Sequence, residues 1–171
     1  MTSLIEAISR LGPFRALVVG DLMLDELLYG DADRLSNDAP VPVLHVRRSE
    51  HRPGGAANVC LNLIAMGGEA RVFGVTGDDA EGRKLREALT KEGVGCEGIV
   101  VDGSRPTTVK RSLIGLAQHR HPQKMFRVDF ESTEPLGGEA SERLLAAFDA
   151  ALADADVVCI EDYNKGVCSE A

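Results

Sequence analysis

The clearest chemical signal in this chain is the run Gly54-Gly55-Ala56-Ala57-Asn58, placed where a helix begins. Paired glycines let a ligand approach the backbone closely. The free N–H groups of a first helical turn attract oxygen-rich or anionic ligands. Asn58 adds a donor and an acceptor from one amide, which suits a sugar hydroxyl. The run is neither a Walker loop, since no Gly-Lys-Ser/Thr follows, nor a GxGxxG fingerprint. A Gly-Gly turn before a helix also has a purely structural reading. Asp21 and Asp25 follow the apolar run Ala16 to Gly20. Ligands of open α/β sheets collect at strand carboxyl ends, and a carboxylate there can accept from two vicinal hydroxyls; a loop cap is the plainer role for either residue. Another apolar run leads into Asp162-Tyr163-Asn164-Lys165-Gly166. There Lys165 offers a positive charge to a phosphate and Asp162 could orient it, or the segment is a surface turn closed by Gly166. Lys110 and Arg111 lie mid-strand, so alternation sends them to opposite faces and at most one of them meets a pocket. Arg127 and Asp129 share a face and read as an ion pair.

These residues need elements to hold them. Residues 2–10 read as a short amphipathic helix, stopped by Gly12-Pro13. Residues 16–20 form a continuous apolar run, as in a strand covered on both faces of a parallel sheet. Residues 26–52 read as a small β excursion, with Pro40 and Pro42 confining its second half to an edge or irregular strand. Pro53-Gly54-Gly55 opens a helix to Met66, stopped by Gly67-Gly68. A buried strand spans 70–75, and Asp78 or Asp79 caps a helix to about Lys91. Strands are predicted at 99–101, 107–114 and 124–130. A helix spans 139–152 with an apolar stripe of Leu144, Leu145, Phe148 and Leu152, and a last buried strand covers 157–160. The pattern is that of an α/β sheet with helices on both faces. Ser169-Glu170-Ala171 looks like a helix start, and a parallel strand needs a crossover to its neighbour. The expectation is therefore that residues 1–171 are the N-terminal portion of a longer enzyme.

Composition narrows the classes. The 171 residues are 44% hydrophobic and carry a formal charge of −8, which excludes a disordered chain and argues against a nucleic-acid groove. No apolar run approaches the roughly 20 residues that span a bilayer. Cys60, Cys96, Cys159 and Cys168 lack CxxC spacing and read as reduced, unpaired thiols of a cytoplasmic protein.

The glycine-rich run, with Gly67 and Gly77 downstream, resembles the first signature of the ribokinase-like (PfkB) carbohydrate kinases; Cys60 stands where that family usually has Ser, Thr or Ala. The segments VVGDLMLDELLYGDADRLSNDAPVPVLHV, RPGGAANV and EDYNKG look most like the branch acting on D-glycero-D-manno-heptose 7-phosphate. That branch makes the 1,7-bisphosphate for ADP-heptose and lipopolysaccharide core biosynthesis, and is commonly fused to an adenylyltransferase. The resemblance implies a three-layer α/β/α fold with a β lid at 26–52 that often pairs two subunits. It carries the sugar-contacting aspartate onto Asp25, the glycine pair onto Gly54 and Gly55, and the sugar-binding asparagine onto Asn58. Arg111 and Lys165 become candidates for the sugar phosphate. The implied chemistry is in-line attack of a sugar hydroxyl on the γ-phosphate of ATP, with Mg2+ and a carboxylate base. The family's Gly-Ala-Gly-Asp run, which supplies base and anion hole, and its Asn-x-x-Glu stretch are absent. The expectation is that the base lies beyond Ala171, that this chain binds no ATP or metal, and that alone it binds sugar without turning it over. Kinases of ribose, fructose or nucleosides and a non-catalytic sugar-binding domain are the alternatives. A doubly wound oxidoreductase lacks its glycine fingerprint here.

Overall fold

The computed structural model describes residues 12–116 and 121–169; the helix expected at 2–10 lies outside them. The chain runs β1 (Arg15–Gly20), β2 (Leu22–Leu35), β3 (Pro42–Gly55), α1 (Ala56–Ala65), β4 (Glu69–Thr76), α2 (Ala80–Lys91), β5 (Gly95–Val101), β6 (Thr108–Gly115), β7 (Gln123–Phe130), α3 (Gly138–Leu152) and β8 (Val157–Glu161).

Two four-stranded sheets form. The body sheet has the order β5-β4-β1-β8, and every pairing in it is parallel. Alternation along β1 and β4 divides its faces. Val18 and Val72 join Ala57 and Cys60 of α1 and Leu85 and Leu89 of α2 in one core. Leu17, Phe73 and Val75 meet Leu144 and Ala151 of α3 in the other. Phe73 and Phe148 stack edge to face at 5.4 Å between centroids, the arrangement that ring quadrupoles favour. This is the expected three-layer α/β/α body. Burial pushes the Cys60 thiol up to about 12, with smaller contributions from Cys96 and Cys159. It packs as a small hydrophobe, and all four cysteines are free.

The second sheet has the order β3-β2-β6-β7 and is larger than the excursion read at 26–52. β2 and β3 are each 14 residues long. They pair antiparallel from Leu22↔Gly55 to Leu35↔Pro42 through two register shifts, so Gly54 and Gly55 end a strand before the helix starts. The strands expected near 107–114 and 124–130 complete this sheet, β6 parallel to β2 and β7 antiparallel to β6. Their alternation shows a half-covered strand without showing which sheet it joins.

Burial departs from expectation on one flank. The last strand was expected to be buried, yet Val157, Val158 and Ile160 are exposed, Ile160 at 68%. β8 is the edge of its sheet and pairs only with β1 among the described strands. Likewise Leu145 and Leu152 of the α3 stripe are exposed, whereas Leu144 is buried. No helix is long and apolar enough to cross a membrane, among the described residues.

Asp79, not Asp78, caps α2. Its carboxylate accepts from the Gly82 N–H at 2.7 Å and from the Thr107 hydroxyl and N–H at 2.6 and 2.8 Å. Burial pushes this carboxyl up, but the Thr107 and Gly82 hydrogen bonds, with Arg83 nearby, outweigh it and hold the group below its ordinary value. A depressed folded value means stability that is complete above the ordinary carboxylate range and lost as pH falls through the folded value. Asp79→Ala is predicted to cost about 1–3 kcal/mol near neutrality. In urea titrations the gap between wild type and variant stays constant from about pH 5 to 8 and closes below about pH 4.

Candidate functional site

The site grows from Asp21, which is 1% exposed at the carboxyl end of β1. Its backbone N–H donates to the Glu161 carbonyl at 3.0 Å, and its own carbonyl accepts from the Ala56 N–H at 3.0 Å. Its carboxylate accepts three further backbone N–H groups, from Tyr163 (2.7 Å), Lys165 (3.0 Å) and Val167 (3.2 Å). One residue thus fastens the start of α1 and the loop after β8 to the end of β1. Of the two readings open for Asp21, the structure shows the loop anchor.

Gly55 closes β3 with φ 58° and ψ −136°, a region open mainly to glycine. A Cβ there would lie 2.4 Å from the Asp21 carbonyl oxygen. α1 has no side-chain cap and no acidic residue in its first turn, so the Ala57 and Asn58 N–H groups have no intrahelical acceptor. Asn58 is exposed beside them. Asp25 lies on β2, and a Cβ on Gly54 would come within 2.8 Å of its Oδ2. Sequence reasoning made the glycines room for a ligand. Here their first occupants are the Asp21 carbonyl at Gly55 and the Asp25 carboxylate at Gly54.

The second sheet sorts the remaining candidates by face. Asp25 is in register with Arg52 and Lys110, and Lys110 with Asp129. In-register neighbours of a sheet point the same way, so Asp25 and Lys110 share a face. Glu26 and Arg111 are the next register pair and take the other face. There Arg111 forms an ion pair with Glu26, which also lies 3.4 Å from His51 Nε2. Arg111 is therefore not brought together with Asp25. On the Asp25 face, Arg127 forms two bonds to Asp129 at 2.7 and 2.8 Å. The hydrogen bond and charge of Asp129 hold the Arg127 guanidinium above its ordinary value, with smaller contributions from Glu131 and Asp25.

In the loop after β8, Asp162 accepts from the Asn164 N–H at 2.8 Å, and Asn164 takes φ 58°. Lys165 Nζ pairs with Glu131 at 3.0 Å, so Glu131, and not Asp162, orients it. Sequence reasoning missed Glu131 and also Arg105, whose side chain is 11% exposed. The Arg105 guanidinium donates to the carbonyls of Lys165 (3.2 Å), Glu134 (2.7 Å) and Pro135 (3.1 Å). It thereby joins the segment after β7 to the segment after β8. An arginine within Gly-Ser-Arg-Pro gives no sequence signal of burial, because such loops are ordinarily solvated.

The two glycines predict different outcomes. Gly55→Ala forces a side chain into a left-handed backbone against a carbonyl oxygen and is expected to lose about 2 kcal/mol or more of stability. Gly54→Ala meets the movable Asp25 carboxylate and the Met23 side chain. It is expected to retain most of that stability while displacing Asp25. Chemical denaturation reads the first effect, and the carboxyl resonance of Asp25 the second.

Comparison with known proteins fits this arrangement. The pfkB family carbohydrate kinase profile matches residues 14–170. The chain is 44% identical over 165 residues to the bifunctional protein HldE of Rhodopseudomonas palustris, covering 96% of this chain and 32% of that protein. It is 42% identical over 159 residues to the D-beta-D-heptose 7-phosphate kinase of Bordetella bronchiseptica, covering 92% of this chain and 48% of that one. The chain thus spans between about a third and a half of the length of these relatives. Among solved structures, a carbohydrate kinase from Agrobacterium tumefaciens superposes with a TM-score of 0.62 at 18% identity, over 86% of this chain and 45% of that one. Arabidopsis thaliana ribokinase complexed with ribose and ATP superposes with a TM-score of 0.58 at 16% identity, over 87% of this chain and 45% of that one. At such identities the superpositions speak for the fold alone, which is ribokinase-like. On the match across residues 14–170, the chain belongs to the pfkB family of carbohydrate kinases.

Proposed function

We propose that this chain forms the sugar side of a kinase that phosphorylates D-glycero-D-manno-heptose 7-phosphate to the 1,7-bisphosphate, the step that feeds ADP-heptose synthesis for lipopolysaccharide. The observation that carries the proposal is the Asp25 carboxylate packed over Gly54, just before the uncapped start of α1, whose first turn carries exposed Asn58. The high identity to the HldE and heptose 7-phosphate kinase relatives supports the choice of sugar. In this reading Asp25 accepts from vicinal hydroxyls and Asn58 gives one donor and one acceptor. The Ala57 and Asn58 N–H groups face the same ligand. Asp162 shapes the loop, and Lys165 reaches the site already paired with Glu131.

ATP is the proposed phosphoryl donor, with Mg2+. Among the described residues no group of three His, Cys, Asp or Glu side chains is placed to hold a metal ion. Soluble substrates and unbridged cysteines favour the cytoplasm. We further propose that two copies pair through the second sheet. Its outer face, shared by Leu28, Leu113, Phe126 and Phe130, leaves Phe126 66% exposed and Phe130 44% exposed, an apolar face that association would cover.

Thermal melting of the chain with heptose 7-phosphate, ribose or fructose 6-phosphate tests the sugar assignment, and sedimentation of the same sample counts the copies. A ligand that binds only the folded state adds about 2.7 kcal/mol at a hundredfold excess over Kd. A rise in melting temperature selective for the heptose phosphate is expected. A cooperative melt that none of the sugars moves would contradict the proposal.

A further inference from the structure

Most charged neighbours on the Asp25 face of the second sheet already have a partner; among the described residues Lys110 and the exposed Lys124 form no salt bridge. Arg48 and Arg52 both pair with Glu50, Arg127 pairs with Asp129, and Lys165 on the adjoining loop pairs with Glu131. Lys110 is half-buried, and no salt bridge to it forms among the described residues. The carboxylates flanking it in register are turned elsewhere. Asp25 leans over Gly54, and Asp129 is occupied twice by Arg127. The Lys110 ammonium lies instead 5.7 Å from the centre of the Tyr163 ring, in the loop that Asp21 anchors. A half-buried ammonium without a counter-charge is costly unless something anionic supplies one.

We infer that Lys110 binds a phosphate group, held between the second sheet and the β8 loop within one strand spacing of Asp25. The inference rests on the sugar-kinase reading above. The phosphate has two chemical sources, an ester carried by the acceptor sugar or the phosphoryl group presented by the nucleotide donor. Lys110 suits either, since an ammonium engages phosphate oxygens as a point charge.

Calorimetry on the full chain distinguishes the sources, with heptose 7-phosphate, the unphosphorylated heptose and ATP as probes. Wild type is compared with Lys110→Ala and Lys110→Arg, and the melting temperature of each confirms folding. Loss of one charged hydrogen bond predicts roughly 10- to 100-fold weaker binding of the phosphate-bearing probe. Lys110→Arg keeps most of the affinity. If the loss falls on heptose 7-phosphate while binding of the bare heptose is unchanged, the ester is the ligand; if it falls on ATP, the donor is. Equal affinities of wild type and Lys110→Ala for both phosphates overturn the inference, as does a loss that follows Arg111→Ala instead. Failure of wild type to bind any heptose rejects the sugar-kinase reading itself, and that result is distinct from either.

Discussion

A single carboxylate holds this site together. Asp21 stands where β1 ends, and the loop after β8 would otherwise leave three backbone N–H groups without acceptors in a part-buried place. Buried donors left unpaired cost more than most hydrogen bonds gain. The loop therefore folds around Asp21, with Asn164 in the left-handed region to complete the turn. The backbone carbonyl of the same residue receives the first N–H of α1. The close approach this requires is why position 55 is a glycine. Both loops that flank the proposed sugar take their positions from this contact.

The second constraint is the length of β2. It begins inside the core, where Leu22 and Leu24 are 2% and 1% exposed, and runs outward as the spine of the second sheet. Its alternation gives that sheet two different faces. One carries Asp25, Lys110 and the ion-paired arginines. The other begins against α1 and α2 and continues as an apolar surface with the Glu26–Arg111 pair at its centre. The second sheet is thus joined to the core by one continuous strand. Arg105 stiffens the corner between them by gathering carbonyls from two segments under one guanidinium.

Much of this was legible in the sequence, for reasons that differ by residue. The apolar runs at β1 and β4 and the glycine stop of α1 follow from local chemistry alone, and they stand in the structure. Motif spacing placed Gly54 and Gly55 at the end of β3 and Asn58 in the first turn of α1, and the Asp25 carboxylate lies beside Gly54. What failed to show was long-range. Nothing in TVKRSLIG states which strand lies beside it, so the choice between Lys110 and Arg111 needed the register with β2. The exposure of Val157, Val158 and Ile160 was hidden because an apolar run looks alike at the centre and the edge of a sheet. Glu131 as the partner of Lys165 joins segments more than 30 residues apart, a contact that no local pattern announces.

The most direct test of this account is amide hydrogen exchange at Tyr163, Lys165 and Val167 in wild type and in Asp21→Asn. The substitution keeps the side-chain shape and replaces one acceptor oxygen with a donor. The account predicts protection of all three amides in wild type and exchange faster by roughly tenfold or more in the variant, the equivalent of about 1.4 kcal/mol or more of lost hydrogen bonding, while amides in the core of β4 keep their protection. Unchanged exchange at the three amides would mean that Asp21 does not organise the loop, and the description of the site would have to begin elsewhere.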